Sequence, residues 1–242
     1  MNTKSLVVIA ASTLAMGGAG QVLAQVSKDE IAAKLNGVSA SDISDSPVSG
    51  VYQIQAGSRV AYITTDGRYL MQGDLYDLET SENLTELTRA ESRVDMLAAV
   101  PRESMMVFAP ENGKAEHTIT IFTDIDCGYC RQFHREIDQV TKLGIEVHYL
   151  FYPRTGPNTE SWAKAEKVWC AGEADRNAAL TRAKLGGEVP KEECSDTPVS
   201  AHWQLGHDIG VTGTPSVIAS NGEVIGGYLA PNQLLERLET ID

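Results

Sequence analysis

The stretch from His117 to His134 constrains this chain more than any other. It reads as a short alternating strand, a tight turn, and a helix that opens at a Cys-x-x-Cys pair. Ile119 and Ile121, interleaved with the β-favouring Thr118 and Thr120, suit a buried strand. Past the turn, Cys130, Phe133, Ile137 and Val140 recur at spacings of three, four and three, which is one apolar helix face. That register puts Cys127 at the helix N-terminus, where unpaired N–H groups and the helix dipole favour negative charge. A thiol there loses its proton readily, and the thiolate is the nucleophile. Cys130, one turn further on, faces inward and is close enough to form a disulfide with Cys127. A strand–CxxC–helix setting points to thioredoxin-like redox chemistry. The alternative is half of a structural zinc site, which needs two more ligands at suitable spacing. Cys170 and Cys194 are far apart and form no second CxxC. Asp126, immediately before Cys127, works against the helix, because a neighbouring carboxylate raises a thiol pKa.

The chain begins with one basic residue, Lys4, then an apolar and small-residue run from Leu6 to Gly20, then Val22-Leu23-Ala24. This is the pattern of a secretory signal peptide cut after Ala24. A membrane span needs about 20 apolar residues, and this run is shorter and broken by Ser12, Thr13 and glycines. The mature protein is therefore expected to be exported, without stable membrane insertion. An oxidising compartment permits stable disulfides. The parsimonious pairing is then Cys127 with Cys130 as a redox-active disulfide and Cys170 with Cys194 as a structural one, the alternative being two free buried thiols. The formal net charge of -13 argues against nucleic-acid and anionic-lipid partners.

Ser27 to Glu30 has the form of a capping box, opening a short helix through Ile31 and Leu35. From Pro47 to Leu78 the period switches to two: residues 51–55 and 60–64 read as strands, Asp66-Gly67 as a hairpin turn and 68–72 as the returning strand. A helix and sheet of about sixty residues is marginal alone. Pairing of an edge strand with a second copy would support it, and 68–78 is the candidate edge. Residues 83–99 read as a linker helix whose narrow stripe is Leu84, Leu87, Ala90, Val94 and Leu97, ended by Pro101. The expected organisation is thus a signal peptide over 1–24, an N-terminal domain over 25–82, a linker helix over 83–104 and a catalytic domain over 105–242. In the last, 106–108, 117–123, 145–151, 216–219 and 223–225 are strands, 128–142 the active-site helix, 160–209 a helical insert and Pro231 the start of a final helix. This βαβ, insert, ββα order is that of a thioredoxin-like fold, with right-handed crossover and both sheet faces covered. Before the ββα unit lies Gly210-Val-Thr-Gly-Thr-Pro215. A cis Thr214–Pro215 bond there presents the Thr214 backbone beside the active site, where a substrate segment can pair as an added strand; an ordinary trans turn is the alternative. Tyr129, between the cysteines, is placed to touch substrate. His134, His202 and His207 read as surface residues.

Phe122-Thr-Asp-x-x-Cys-Gly-Tyr-Cys130, Gly210 to Pro215, Ser220-Asn-Gly222, Tyr62-Ile-Thr-x-Asp-Gly67 and Trp169-Cys170 together resemble the DsbC family of periplasmic thiol:disulfide isomerases. The resemblance spans essentially the whole mature chain. It implies a cystatin-like N-terminal dimerisation domain, a V-shaped homodimer with thioredoxin-like arms facing an apolar cleft, misoxidised proteins as substrates, no cofactor or metal, and a DsbD-like membrane reductant. It makes Cys127 the nucleophile, Cys130 the resolving cysteine, Thr214 and Pro215 the cis-proline loop and Cys170–Cys194 the structural bridge. Two other activities suit the same residues: a dithiol oxidase or reductase, differing in redox poise, and a dimeric holdase whose cleft shields unfolded chains.

Overall fold

The structure, a computed structural model, describes residues 25–241. The signal segment expected over 1–24 lies outside the described residues. No described helix is long and apolar enough to cross a membrane.

The N-terminal part opens with α1 (Lys28–Ala32), whose Ser27–Glu30 capping box is formed on both sides. Four antiparallel strands follow in spatial order: β1 (Ile43–Asp45), β2 (Val51–Ala56), β3 (Arg59–Thr64) and β4 (Leu70–Met71). Alternation places Tyr52 and Ile54 inward, against Ile31, Ile43 and Ile63. Asp66-Gly67 does turn the chain: Gly67 has φ +66° and its N–H donates to Thr64 O at 2.7 Å. The returning strand is shorter than the pattern suggests, with only Leu70 and Met71 paired to Ile63 and Tyr62. β1 was not apparent in the sequence because three residues are too few to show a period. Tyr69, Leu70 and Met71 stand exposed along this edge, and Tyr76 and Leu78 are exposed in the following segment, which pairs in a separate two-stranded sheet rather than continuing this one.

After the small hairpin of β5 (Tyr76–Asp77) and β6 (Glu82–Asn83), α2 (Leu84–Ala98) starts at an Asn83 cap, Asn83 Oδ1 accepting from Glu86 N at 3.0 Å. No residue of its expected apolar stripe is fully buried, although Leu97 packs on a core. Leu87 is exposed, whereas Thr85, Ser92 and Arg93 are buried. The reason is that α2 is clasped from both sides by polar contacts. The Thr85 hydroxyl meets Tyr62 Oη at 2.5 Å, and Arg93 Nη1 donates to Gly222 O at 2.9 Å and to Glu86 Oε1 at 2.7 Å. Further along, Met96 and Leu97 pack against the C-terminal core cluster that includes Phe122, Leu150 and Ile218.

That part is built on a five-stranded sheet. Its strands are β7 (Met106–Phe108), β8 (His117–Thr123), β9 (Ile145–Phe151), β10 (Ser216–Ala219) and β11 (Val224–Gly226), in the order β11-β10-β8-β9-β7. Only β8 and β9 run parallel. Ile119, Ile121, Val147 and Tyr149 face one core and Phe122 and Leu150 the other, so both faces are covered. The active-site helix is two pieces, α3 (Gly128–Arg135) and α4 (Ile137–Lys142), where one helix was expected. The break is at Glu136, whose N–H bonds three residues back to Phe133 O and whose carboxylate is held by Tyr228 Oη at 2.9 Å. The insert comprises α5 (Glu160–Trp169), α6 (Arg176–Lys184) and α7 (Val199–Ile209), and α8 (Pro231–Glu239) closes the fold. Gly206 of α7 lies so near the Tyr152 ring that a Cβ would sit 2.5 Å from it.

Candidate active site

Cys127 is the N-cap of α3, and its sulfur accepts from Cys130 N at 3.5 Å. Both cysteines carry free thiols and are buried, at 3% and 1% exposure. The cap position follows from the loop before it. Asp124, at the end of β8, is a buried carboxylate whose Oδ1 accepts from Ser161 Oγ and Asp126 N, and whose Oδ2 accepts from Arg154 N and Nε. Burial alone would favour its protonated form, but these donors outweigh it and hold the carboxyl below its usual range. The turn is thereby fixed and brings Arg154 to the site.

The two thiols titrate in opposite directions. Donation from the Cys130 thiol to the Cys127 sulfur is the largest effect on Cys127. The Cys130 backbone N–H and the Arg154 charge act in the same sense. Against the opposing effect of burial, they bring Cys127 from 9.0 down to about 5. Burial first, and Cys127 second, push Cys130 up. A proton shared by two sulfurs therefore rests on the inner one. Asp126 does not reverse this. Its carboxylate is clamped by Arg131 Nη2 at 2.9 Å and Lys164 Nζ at 3.0 Å, so two cations offset the charge that the sequence sets beside the thiol.

The late loop closes over the pair. Thr214–Pro215 is cis, and Thr214 O lies 3.1 Å from Cys127 Sγ, accepting from it when Cys127 is a thiol. Tyr152 Oη, donating to Val211 O at 3.0 Å, anchors the loop from below. A cavity of about 400 Å³ runs from Thr214 and Pro215 to Arg93 of α2. Tyr129 is 64% exposed and stacks on Tyr228 with ring centroids 6.5 Å apart. Cys127, Cys130, Tyr129, Thr214 and Pro215 are thus in one place. Cys170 and Cys194 are elsewhere, bonded to each other across the insert with Cα atoms 5.5 Å apart. The zinc reading therefore has no thiolates left to complete it.

Two histidines read as surface residues are buried. His134 is 1% exposed, with Nδ1 3.1 Å from Tyr149 Oη and Nε2 2.9 Å from Thr181 Oγ1. Burial, and secondarily the Lys184 charge, lower its pKa to about 3. His202 Nδ1 accepts from Phe151 N at 3.3 Å, and burial lowers it to about 4. Of the three, only His207 is exposed. The signal was available: His134 falls four residues after Cys130 and three before Ile137, on the inner face. A further buried cation was missed altogether. Lys184 of α6 is 0% exposed and its Nζ donates to Thr123 Oγ1 at 2.8 Å and to Asp124 O at 3.3 Å.

Residues 18–86 match the profile of the disulfide bond isomerase protein N-terminal domain, and 103–242 that of a thioredoxin-like domain. The chain is 37% identical over 241 residues to the thiol:disulfide interchange protein DsbC of Dickeya dadantii, covering 98% of this chain and 95% of that one. It is 35% identical over 203 residues to the DsbC of Escherichia coli K12, covering 84% and 83%. Among solved structures, a disulfide interchange protein from Neisseria gonorrhoeae superposes with a TM-score of 0.51 at 27% identity, over 58% of this chain and 97% of that one.

Proposed function

This chain belongs to the DsbC family of thiol:disulfide interchange proteins, and we propose that it is a disulfide isomerase in which Cys127 is the nucleophile and Cys130 the resolving cysteine. The observation that carries the reading is the position of the Cys127 sulfur, at the cap of α3, where it accepts from Cys130 N and lies 3.1 Å from Thr214 O of the cis-proline loop. Cys127 thiolate attacks one sulfur of a mispaired disulfide. A mixed disulfide forms and the other substrate sulfur leaves as thiolate. If that thiolate attacks a second bridge in the substrate, the new thiolate displaces Cys127 unchanged, and the substrate is isomerised without net redox change. If it does not, Cys130 attacks Cys127, the enzyme disulfide forms and the substrate leaves reduced by two electrons. A DsbD-like membrane reductant restores the dithiol. The low pKa helps twice, by supplying thiolate at neutral pH and by making Cys127 a good leaving group.

Substrate lies in the cavity beside Thr214 and Pro215 and pairs with the Thr214 backbone. Tyr129 provides an aromatic contact at its rim. Cys170–Cys194 holds the insert and takes no part in the chemistry. The N-terminal domain over 25–82 pairs two copies through the exposed edge at Tyr69 to Met71, the linker helix over 83–104 joins it to the catalytic domain over 105–242, and the mature homodimer works in the periplasm after cleavage near Ala24. Refolding of a scrambled multi-disulfide protein, with limiting enzyme and a glutathione buffer, tests the activity. Recovery of native pairing that Cys127→Ala abolishes supports isomerisation. Loss of substrate disulfides with no gain of native pairing identifies a reductase instead.

A further inference from the structure

Lys184 is the most deeply buried charged residue of the C-terminal part, and the chemistry described so far gives it no task. A lysine ammonium inside a fold is costly unless matched. Here its hydrogen bonds go to two neutral oxygens, Thr123 Oγ1 at 2.8 Å and Asp124 O at 3.3 Å, and its Nζ lies 5.6 Å from the centre of the Tyr149 ring. The Thr123 side chain also favours the Cys130 thiolate. Lys184 and Thr123 thus reach from the insert to the end of β8, and both favour the thiolate of the inner sulfur.

We propose that Lys184 is the proton store for Cys130, reached through the Thr123 hydroxyl. The inference rests on the reading of Cys127 and Cys130 as an exchanging pair. The need for such a store follows from the burial of Cys130: its thiol must ionise to attack, and burial resists that. Burial also pulls Lys184 down, so its ammonium exchanges a proton more readily than an exposed lysine does. The ionisable groups around Lys184 are Cys127, Cys130, Arg131 and His134 of α3, Asp124 after β8, and Tyr149 of β9. Neutral His134 and Tyr149 add no charge, and Arg131 disfavours the ammonium while Asp124 favours it.

In the resolving step the Cys130 proton passes to Thr123 Oγ as the Thr123 proton passes to Lys184 Nζ. Ammonium and thiolate form together, so the buried site gains no net charge. Cys130 thiolate attacks Cys127 Sγ. The Cys127–Cys130 bond forms, the bond from Cys127 to the substrate sulfur breaks, and the substrate departs as thiolate. The enzyme dithiol is oxidised by two electrons and the substrate disulfide reduced by two. The ammonium that remains is matched by the Asp124 charge. When an external dithiol reduces the enzyme by attack at Cys127, Cys130 leaves as thiolate and recovers its proton by the same route. Lys184 does not touch a reacting sulfur, and it is a positioning residue acting through Thr123.

The test uses the mature chain in dithiol form mixed with excess 5,5′-dithiobis(2-nitrobenzoate) in a stopped-flow instrument. The first aromatic thiolate released reports attack by Cys127, and the second reports attack by Cys130 on the mixed disulfide. At pH 7 the ratio of second-phase to first-phase rate should fall on the order of 100-fold in Lys184→Met, the scale of a lost general base. The residual second phase should then rise about tenfold per pH unit, as an unassisted thiol does. Thr123→Val, which removes only the relay hydroxyl, should show the same fall and stands in if Lys184→Met does not fold. Lys184→Arg keeps the charge but cannot accept a proton, so it should stay slow. A ratio unchanged in Thr123→Val, or restored in Lys184→Arg, overturns the proposal. A slow first phase in the unaltered protein instead refutes the reading of Cys127 on which it rests.

Discussion

Gly222 is where the linker helix is locked to the catalytic domain, and Gly222→Ala should unlock it. The residue sits in the turn between β10 and β11 with φ +84°. A Cβ there would lie 2.0 Å from Ala90 O, 2.7 Å from Ala90 C and 3.0 Å from Ala90 Cα. Nonbonded atoms attract at about 3.5 Å, so α2 and the turn must separate by more than an ångström. Backbone atoms on both sides leave no flexible side chain to absorb the shift. The separation breaks the Arg93 Nη1–Gly222 O bond of 2.9 Å, and Arg93 is buried. Left-handed backbone with a Cβ costs about 1–2 kcal/mol, and a lost hydrogen bond to a charged donor about 1.5–3 kcal/mol. The loss should therefore be roughly 3–5 kcal/mol, read as a fall in the urea midpoint of the dithiol form. Asparagine tolerates the left-handed region but has the same Cβ, so Gly222→Asn should be nearly as damaging. A change within about 0.5 kcal/mol, the range of an ordinary surface substitution, would refute the docking. Rescue by asparagine would assign the cost to φ alone.

Three further outcomes follow from the site. Because Cys127 is depressed from 9.0 to about 5, it stabilises the folded dithiol fully above pH 9, and the contribution disappears as pH falls through 5. At pH 7 it amounts to about 3 kcal/mol. Stability of the dithiol form minus that of the disulfide form should rise by about 1.4 kcal/mol per pH unit between pH 6 and 8, and a flat difference in denaturant titrations contradicts it. Replacing Cys170 and Cys194 with alanine opens a loop of sequence separation 24, so the reduced midpoint should correspond to about 3.5 kcal/mol in the chain-entropy model. Asp126→Asn frees Arg131 and Lys164 beside the site. The Cys127 alkylation profile should then move to lower pH by less than about one unit, and a move upward would contradict the clamp.

What the sequence conveyed depended on how local each cause is. The β8–CxxC–α3 unit, the capping box at Ser27, the Asp66-Gly67 turn and the loop before Pro215 are set by residues adjacent in the chain, and they were legible. Leu84 to Leu97 looked like the buried stripe of α2 because apolar spacing was the only criterion. The buried face is instead decided by Thr85 and Arg93, whose partners Tyr62 and Gly222 lie far away in sequence. The break at Glu136 likewise depends on Tyr228. Lys184 was invisible as a site residue for a related reason. Leu180 and Ala183 mark its side of α6 as inward, but nothing within α6 says that this side meets the end of β8. For His134 and Asp126 composition was misleading. A histidine on a helix and an acid beside a thiol suggest solvent and antagonism, until Tyr149 and Thr181 in one case, and Arg131 and Lys164 in the other, are seen to surround them.

The central claim is that the outer sulfur is ionised at neutral pH while the inner one holds the proton. Alkylation of the dithiol protein by iodoacetamide from pH 4 to 10, with each cysteine quantified by peptide mass spectrometry, measures it directly. The account predicts a Cys127 rate half-maximal at about pH 5 and Cys130 unmodified up to pH 9. A Cys127 rate still rising steeply through pH 8–9, or Cys130 reacting first, would contradict it.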